Sequence, residues 1–347
     1  MDPLSQAVLG ASLSQSFANG VSRDKKVEKS NLLSALVIGG LAAMVPDLDV
    51  LIRSEENPIL FLEFHRQFTH SLAFIPFGAL ICALVFYPVI HSKWLKADLS
   101  FKQIYLFSFL AYATHGLLDS CTSYGTQLFW PFSTMRIAWN IVSIIDPLFT
   151  FPMLILVFLS AKYRRVVYAR IAFIYAVIFL SLGIIQNDRA EKAVYQLAEK
   201  RGHQLVRVQV KPSFGNRHVW KTIYEYDDRY YVDAVKLLLD SEIISGSSIQ
   251  KLDVKRDFPW LPANSQQAKD IERFRWFSDD YLALSPDDPN MVMDVRYSYL
   301  PNHIKMMWGV GVDRQSIEEG SYDSHVSYKI NGRPGRERFK RFFEMLF

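Results

Sequence analysis

The sequence has little cysteine, no basic cluster of the kind that binds nucleic acid and, after Gln186, no long hydrophobic run. Its two cysteines, Cys82 and Cys121, lie in or beside apolar runs and outside any metal-binding spacing, so we predict small buried residues. The net charge of +4 is small for 347 residues, and lysine and arginine are interspersed with acids, so nucleic acid is not expected as a partner. No basic stretch precedes the first apolar segment, and therefore no cleavable signal peptide is predicted.

Nearly all long apolar runs lie before Gln186, and the remaining chain is polar, charged and rich in Trp and Tyr. We therefore predict a helical membrane domain over residues 1–186 and a soluble α+β domain over residues 187–347. The membrane domain is expected to be all-α and polytopic, with five to six helices at 4–18 (short or partly inserted), 32–52, 71–90, 103–121, 141–161 and 166–186. In the second domain we expect strands at 203–211, 219–226, 291–299 and 326–330, a helix at 265–277 and a basic amphipathic tail at 336–347.

The distribution of basic residues predicts an orientation in the membrane. Loops 21–30, 91–102 and 161–170 hold eleven Lys and Arg residues, whereas the alternate loops hold three, which are Arg53, Arg66 and Arg136. Because cytoplasmic loops are enriched in Lys and Arg, the first set is predicted to face the cytoplasm. The chain is then a multi-pass protein of the cell inner (cytoplasmic) membrane, and the domain after Gln186 lies on the extracytoplasmic side.

Six acidic and imidazole side chains lie at the ends of these apolar helices, all at the extracytoplasmic face: Asp47, Asp49, His65, His70, His115 and Asp119. Such groups are costly to bury beside lipid, so their default interpretation is a functional site. His115 and Asp119 are four residues apart and share one helical face. Pro46 disfavours regular helix, so an extended turn is expected to aim Asp47 and Asp49 at one or two metals, and Thr69 is expected to cap the helix that follows.

Imidazole and carboxylate ligands together suit Zn²⁺, or alternatively Mn²⁺ or Fe²⁺, better than Ca²⁺ or Mg²⁺. A divalent metal held in this way lowers the pKa of bound water and polarises a phosphoryl or carbonyl oxygen, so hydrolysis is the predicted chemistry. Two other interpretations stay open: a structural set of caps and inter-helix hydrogen bonds, and an ion or proton pathway. Asp146, which precedes Pro147, either supplies a further ligand or starts a helix.

Three motifs in the first half resemble a known family. The stretches PDLD, HRQFTHS and HGLLDSCTSYGTQLFWPFS resemble the PDxD, HRxxTHS and HxxxD...G...P pattern of the YdjM family, the predicted membrane-bound metal-dependent hydrolases, over about residues 1–190. The resemblance implies an all-helical inner-membrane protein of the zinc-dependent phospholipase C type, and it implies the same six residues as metal-site candidates. Many relatives carry a histidine near the start, where this chain has Asp2-Pro3-Leu4-Ser5-Gln6, so one ligand is missing or is replaced by Gln6.

These observations predict a membrane-bound, metal-dependent hydrolase that acts on a lipid-linked or envelope phosphoester. Asp47 or Asp49 serves as a ligand or as the general base, and Arg66 steadies the anionic group. The alternatives are a transporter-like protein and a non-catalytic membrane anchor for a binding domain. A transporter is disfavoured because the polar groups lie toward one face and no inverted repeat is visible.

Overall fold

The computed structural model describes residues 1–18, 25–91, 99–332 and 335–346, which divide into two compact units. The helical unit comprises Met1–Leu51, Phe64–Ile185 and Phe214–Asn216, and the sheet unit comprises Ile52–Glu63, Gln186–Ser213 and Arg217–Phe347. Much of the basic charge behind the orientation prediction, namely the side chains of residues 21–30, Lys93 and Lys96, lies outside the described part of the chain.

The first part of the chain is built from α-helices joined by short 3₁₀ helices. The α-helices are α1 (Pro3–Ser16), α2 (Lys25–Ala42), α3 (Leu60–Phe64), α4 (Ile75–Ile90), α5 (Phe101–Ser120), α6 (Pro147–Tyr163) and α7 (Val166–Lys200). The 3₁₀ helices cover Val45–Leu51, Phe68–His70 and Leu72–Phe74. The predicted short helix at residues 4–18 is α1.

Local sequence fixes where several of these helices begin. The carboxylate of Asp2 caps α1, and Pro3 occupies the first turn, where its missing N–H costs no helical hydrogen bond. Ser100 and Gln103 form a reciprocal capping box at the start of α5. Asp146 caps α6 and is followed by Pro147. Of its two predicted roles, a further ligand or a helix start, the structure shows the helix start.

Within the described residues, three helical segments are long and apolar enough to cross a membrane: Asn31–Leu51, Leu72–Ile90 and Val166–Lys200. The helix Pro147–Tyr163 is apolar but shorter. The expected crossing at residues 103–121 forms α5, which is outside this set because polar residues such as Ser108, Thr114 and His115 interrupt its apolar sequence. The predicted number of five to six crossings is therefore not confirmed.

Three local predictions were wrong. Helix α7 continues to Lys200, beyond the expected end at Gln186, because residues 187–200 are polar but remain good helix formers. The PDLD motif lies in the 3₁₀ helix Val45–Leu51 rather than in an extended turn, since Pro46 falls in its first turn, where a proline is tolerated. Thr69 does not cap the helix that follows: Ser71 caps the 3₁₀ helix Leu72–Phe74, α4 begins after Phe74 without a side-chain cap, and the Thr69 hydroxyl bonds Asp49.

The sheet unit contains two four-stranded antiparallel sheets, each with its strands in sequence order. The first sheet consists of β1 (Arg207–Pro212), β2 (Val219–Tyr226), β3 (Arg229–Leu237) and β4 (Ser241–Gln250). The second consists of β5 (Leu282–Ser285), β6 (Asp288–Asp294), β7 (Trp308–Gly311) and β8 (Ser327–Ile330). Its helices are α8 (Val254–Asp257), α9 (Gln266–Phe277), α10 (Arg314–Glu318) and α11 (Arg336–Leu346).

The expected combination of strands and helices in this region is confirmed, but the sequence interpretation found only part of the sheets. Strand β2 and helix α9 match their predicted positions, and α9 is capped by Ser265. Strand β3 was missed although Asp227 and Asp228, both with positive φ, form the tight turn that joins it to β2. Strand β4 was missed because its sequence is mostly polar and half-exposed.

Candidate metal centre

Four of the six candidate ligands converge on one point of the helical unit: Asp47, His70, His115 and Asp119. The Nε2 atoms of His70 and His115 lie 2.9 Å apart. Asp47 Oδ1 lies 3.4 Å from each of these nitrogens. Asp119 Oδ2 lies 3.4 Å from His70 Nε2 and 3.7 Å from His115 Nε2. The two histidines and Asp119 are fully buried, whereas the side chain of Asp47 is 27% exposed.

These distances fit a tetrahedral cation. A tetrahedron with metal–ligand bonds of about 2.0–2.1 Å has edges of about 3.3–3.4 Å. The five edges given above range from 2.9 to 3.7 Å and so bracket that value. The donor set of two imidazoles and two carboxylates also suits a transition metal. This group can therefore hold one divalent metal ion after small shifts of its ligand atoms.

The hydrogen bonds on the far side of each imidazole fix which nitrogen faces the centre. His115 Nδ1 contacts the carbonyl oxygen of Ala43, which only accepts, so this nitrogen carries the proton. His70 Nδ1 lies 3.2 Å from Asp49 Oδ2, and a buried carboxylate on this nitrogen favours its protonated form. The two Nε2 lone pairs then face each other across 2.9 Å, which requires a proton or a cation between them.

A glycine in the HGLLD motif permits the close approach of these elements. A Cβ atom at Gly116 would lie 2.1 Å from the carbonyl oxygen of His70. A side chain at this position would push the Phe68–His70 segment away from α5, and the two histidines would separate. The sequence signal for this role is the glycine that directly follows His115, and the sequence interpretation gave it no role.

Asp49 orients the histidines around the centre and is itself held in place. Its Oδ2 atom accepts hydrogen bonds from the backbone N–H of Arg66 at 2.9 Å and from the hydroxyl of Thr69 at 2.7 Å. Its Oδ1 atom lies 2.7 Å from Nδ1 of His65. Carboxylates in this position fix the tautomer and orientation of metal-binding histidines. Thr69 thus supports the carboxylate instead of capping a helix.

Asp119 is surrounded by cationic and polar groups. Arg66 Nε lies 2.9 Å from its Oδ2, and the amide of Gln6 donates to its Oδ1 at 2.9 Å. The amino group of Met1 also contacts Oδ1. Gln6, which the sequence suggested as a replacement ligand, thus contacts a candidate ligand and stands outside the four-residue group. Burial of the Asp119 carboxylate is offset by these partners.

Arg66 has an unusual backbone conformation, with a φ of 67° in the left-handed region. This conformation aims its N–H at Asp49 and its carbonyl at the backbone N–H of Gln127, 2.9 Å away. The side chain is buried, and Nη1 donates to the hydroxyl of Thr122 at 3.1 Å. Strained residues of this kind cluster at functional sites.

His65 and Asp146 lie outside the four-residue group. His65 forms a second group with Asp47 and Asp49, whose ligand atoms lie within 4.8 Å of one another. Asp146 has its carboxylate on the backbone N–H groups of Leu148 and Phe149 as a helix cap. The six predicted ligands therefore fall into two overlapping groups that share Asp47.

Comparison with known proteins identifies a family of membrane proteins. Residues 1–190, just over half of the chain, match the family model described as YdjM inner membrane protein. The chain is 32% identical over 117 residues to the YfhP protein of Bacillus subtilis strain 168, which covers 33% of each chain. It is also 32% identical over 129 residues to the inner membrane protein YbcI of Escherichia coli K12, which covers 36% of this chain and 69% of YbcI. No solved structure matches the chain. The chain belongs to the YdjM family of inner membrane proteins.

Proposed function

We propose that this protein is a membrane-bound, metal-dependent hydrolase that acts on a lipid-linked or envelope phosphoester. The observation that carries the proposal is the pair of Nε2 atoms, 2.9 Å apart, with two carboxylate oxygens directed at the same point. A shared proton would satisfy only the two nitrogens, whereas one divalent ion would satisfy both nitrogens and both carboxylate oxygens at once. The same residue types hold the divalent metals of many hydrolytic enzymes.

We propose a separate role for each residue of the site. Asp47, His70, His115 and Asp119 hold the ion, which is proposed to be Zn²⁺ and which supplies Lewis-acid polarisation and a lowered pKa of water when bound. With this one ion bound, Asp49, which lies outside the four-residue group, keeps the imidazoles oriented and is the candidate general base. Arg66 positions Asp119, and we propose that its charge also steadies the anionic group of the substrate.

The surroundings of Asp47 support a lipid-like substrate. Asp47 is the most exposed carboxylate of the four-residue group, and it shares a 3₁₀ helix with Leu48 and Leu51, which are 59% and 75% exposed. Exposed leucines beside a polar site suit a molecule with an apolar tail and a charged head. The match to an inner membrane family agrees with such a substrate.

Loss of a proposed ligand tests this function. We expect His115→Ala to lose its bound transition metal and its phosphoester hydrolysis while the protein still inserts, because insertion depends on apolar length. His91→Ala is the matched control, since His91 is exposed at the end of α4 and bonds the carbonyl of Tyr87. Metal content by mass spectrometry and hydrolysis of a panel of phosphomonoesters and phosphodiesters provide the readouts. Full metal content in His115→Ala would refute the metal centre.

We also propose that the protein crosses the membrane several times and that residues 187–347 lie outside the cytoplasm. The basis is the excess of Lys and Arg in alternate loops. A reporter fused after Phe347 should report a non-cytoplasmic location, and one inserted near Arg164 a cytoplasmic one. A cytoplasmic signal from the first fusion would reverse the proposed orientation.

A further inference from the structure

We infer that the site binds a second divalent cation through Asp47, Asp49 and His65, next to the four-residue group. This inference rests on the proposed function and deepens it, because it makes the centre binuclear, with Asp47 common to both ions. The three ligand atoms of this group lie within 4.8 Å of one another, as the four of the first group do. Two divalent metals that share a carboxylate are a frequent arrangement in enzymes that cleave phosphoesters.

Asp49 has one oxygen to offer to this second ion. Its Oδ2 atom is already occupied by the N–H of Arg66, the hydroxyl of Thr69 and Nδ1 of His70. Its Oδ1 atom meets only His65 among the contacts of the described residues, at 2.7 Å. Asp49 is therefore held in place through Oδ2, and its Oδ1 atom is directed at His65. Such preorganisation lowers the cost of binding an ion.

A proton currently joins His65 to Asp49, and a metal ion would replace it. An imidazole nitrogen at 2.7 Å from a carboxylate oxygen shares a hydrogen with it. The ligating nitrogen must be deprotonated, so binding of the ion at Nδ1 moves this proton to Nε2 of the same ring or to solvent. The distance between the two ligand atoms is already short enough for both to contact one ion.

The two positions differ in their access to solvent. In the first group, three of the four side chains are fully buried, which is typical of a tightly held ion. In the second group, Asp47 is 27% and His65 is 18% exposed. Three protein ligands also leave coordination positions for water or for a phosphoryl oxygen of the substrate. We therefore assign the second position to an exchangeable ion that meets the substrate.

Metal stoichiometry tests the inference on the full-length protein in detergent. The protein is stripped with a chelator, reloaded with Zn²⁺, desalted and analysed for zinc per chain. We expect two equivalents in the wild type and in His91→Ala, and one in His65→Ala and in the conservative His65→Gln. Circular dichroism verifies that each variant is folded. If either His65→Ala or His65→Gln is unfolded, the other variant is used for the comparison.

Loading with Mn²⁺ gives a second readout that does not depend on activity. Two neighbouring Mn²⁺ ions give a spin-coupled electron paramagnetic resonance spectrum, which we expect for the wild type. His65→Gln should give the six-line spectrum of an isolated ion. The double variant His70→Ala/His115→Ala should lose the tightly held ion and therefore the spin coupling between the two Mn²⁺ ions.

The outcomes separate this inference from the proposed function. One zinc per wild-type chain, lost in His115→Ala and kept in His65→Ala, overturns the second site and leaves the hydrolase proposal standing. No zinc in the wild type overturns both. Two equivalents that persist in His65→Ala and His65→Gln place the second ion elsewhere and also overturn the inference.

Discussion

Both units of the protein bury charged side chains, but the partners of these side chains differ between the two units. In the sheet unit, Arg296 forms a paired contact with Asp294, with distances of 2.7 to 3.2 Å, and also donates to the carbonyl of Phe277. Buried Lys221 donates to Ser298 Oγ and to the carbonyls of Pro301 and His303. In the helical unit, four side chains of the candidate metal centre place possible ligand atoms close together.

The difference shows how to separate structural from functional burial of charge. The pair of Asp294 and Arg296 is balanced in charge, and the carbonyl of Phe277 accepts a further hydrogen bond from Arg296, so the pair does not call for a bound ion. The Nε2 atoms of His70 and His115 have their opposite nitrogens satisfied and then face each other. We therefore propose that convergence of like groups, rather than burial itself, marks this cluster as a candidate binding site.

The sharpest test removes one carboxylate from each unit. We expect Asp119→Asn to lower metal affinity more than about 100-fold, since losing a direct ligand costs more than losing a supporting contact, and to abolish hydrolysis. Asp294→Asn should leave metal content unchanged and destabilise the sheet unit by about 3–5 kcal/mol, because Arg296 becomes a buried charge without its partner. Metal titration and chemical denaturation of both variants measure these effects. The reverse pattern would contradict the division between the units.

A smaller effect is expected from Gly116→Ala. The added methyl group would collide with the carbonyl of His70, so the histidines should separate and metal affinity should fall by about 10–100-fold. Gly40→Ala is the control, because a Cβ atom there meets its nearest neighbour at 3.7 Å, an ordinary contact. Equal metal affinity in the two variants would show that the close approach at Gly116 does not position the centre.

The smallest effect is a pH dependence in the sheet unit. Burial lowers the pKa of Lys221 to about 7, whereas an unfolded lysine titrates near 10.4. Between these values the unfolded chain binds a proton that the folded chain lacks, so the free energy of unfolding rises with pH. We expect a gain of about 1 kcal/mol per pH unit above pH 7, and a flatter curve in Lys221→Met, measured by denaturant melts followed by Trp fluorescence. Identical slopes in both proteins would exclude this role for Lys221.

The sequence predicted those parts of the site that depend on local spacing. His115 and Asp119 are four residues apart on a continuous helix, and their shared face could be foreseen. The position of His70 could not, because it depends on a tertiary contact with Gly116 in another helix. Thr69 was assigned as a cap for the same reason, since its partner Asp49 is twenty residues away in the sequence.

In the fold, as in the site, features set by local sequence were predicted and features set by distant contacts were not. Strand β2 and helix α9 have strong sequence patterns and were placed correctly. The end of α7 could not be read from hydrophobicity, because a helix can continue after its residues cease to be apolar. The assignment of Ile52–Glu63 to the sheet unit could not be foreseen either, since it depends on contacts of Glu63 and Asn57 with Arg273 and of Phe61 with Tyr328.

That last feature has a consequence for the order of biogenesis. Residues 52–63 leave the ribosome long before Arg273 and Tyr328, with which they make their contacts. The segment is flanked on one side by the PDLD motif and on the other by HRQFTHS, so the two motifs are joined through a segment whose contacts with Arg273 and Tyr328 form only late in synthesis. We therefore expect the candidate metal centre to take up metal only after translation, and chains that stop before residue 273 to insert their helices but to acquire metal slowly.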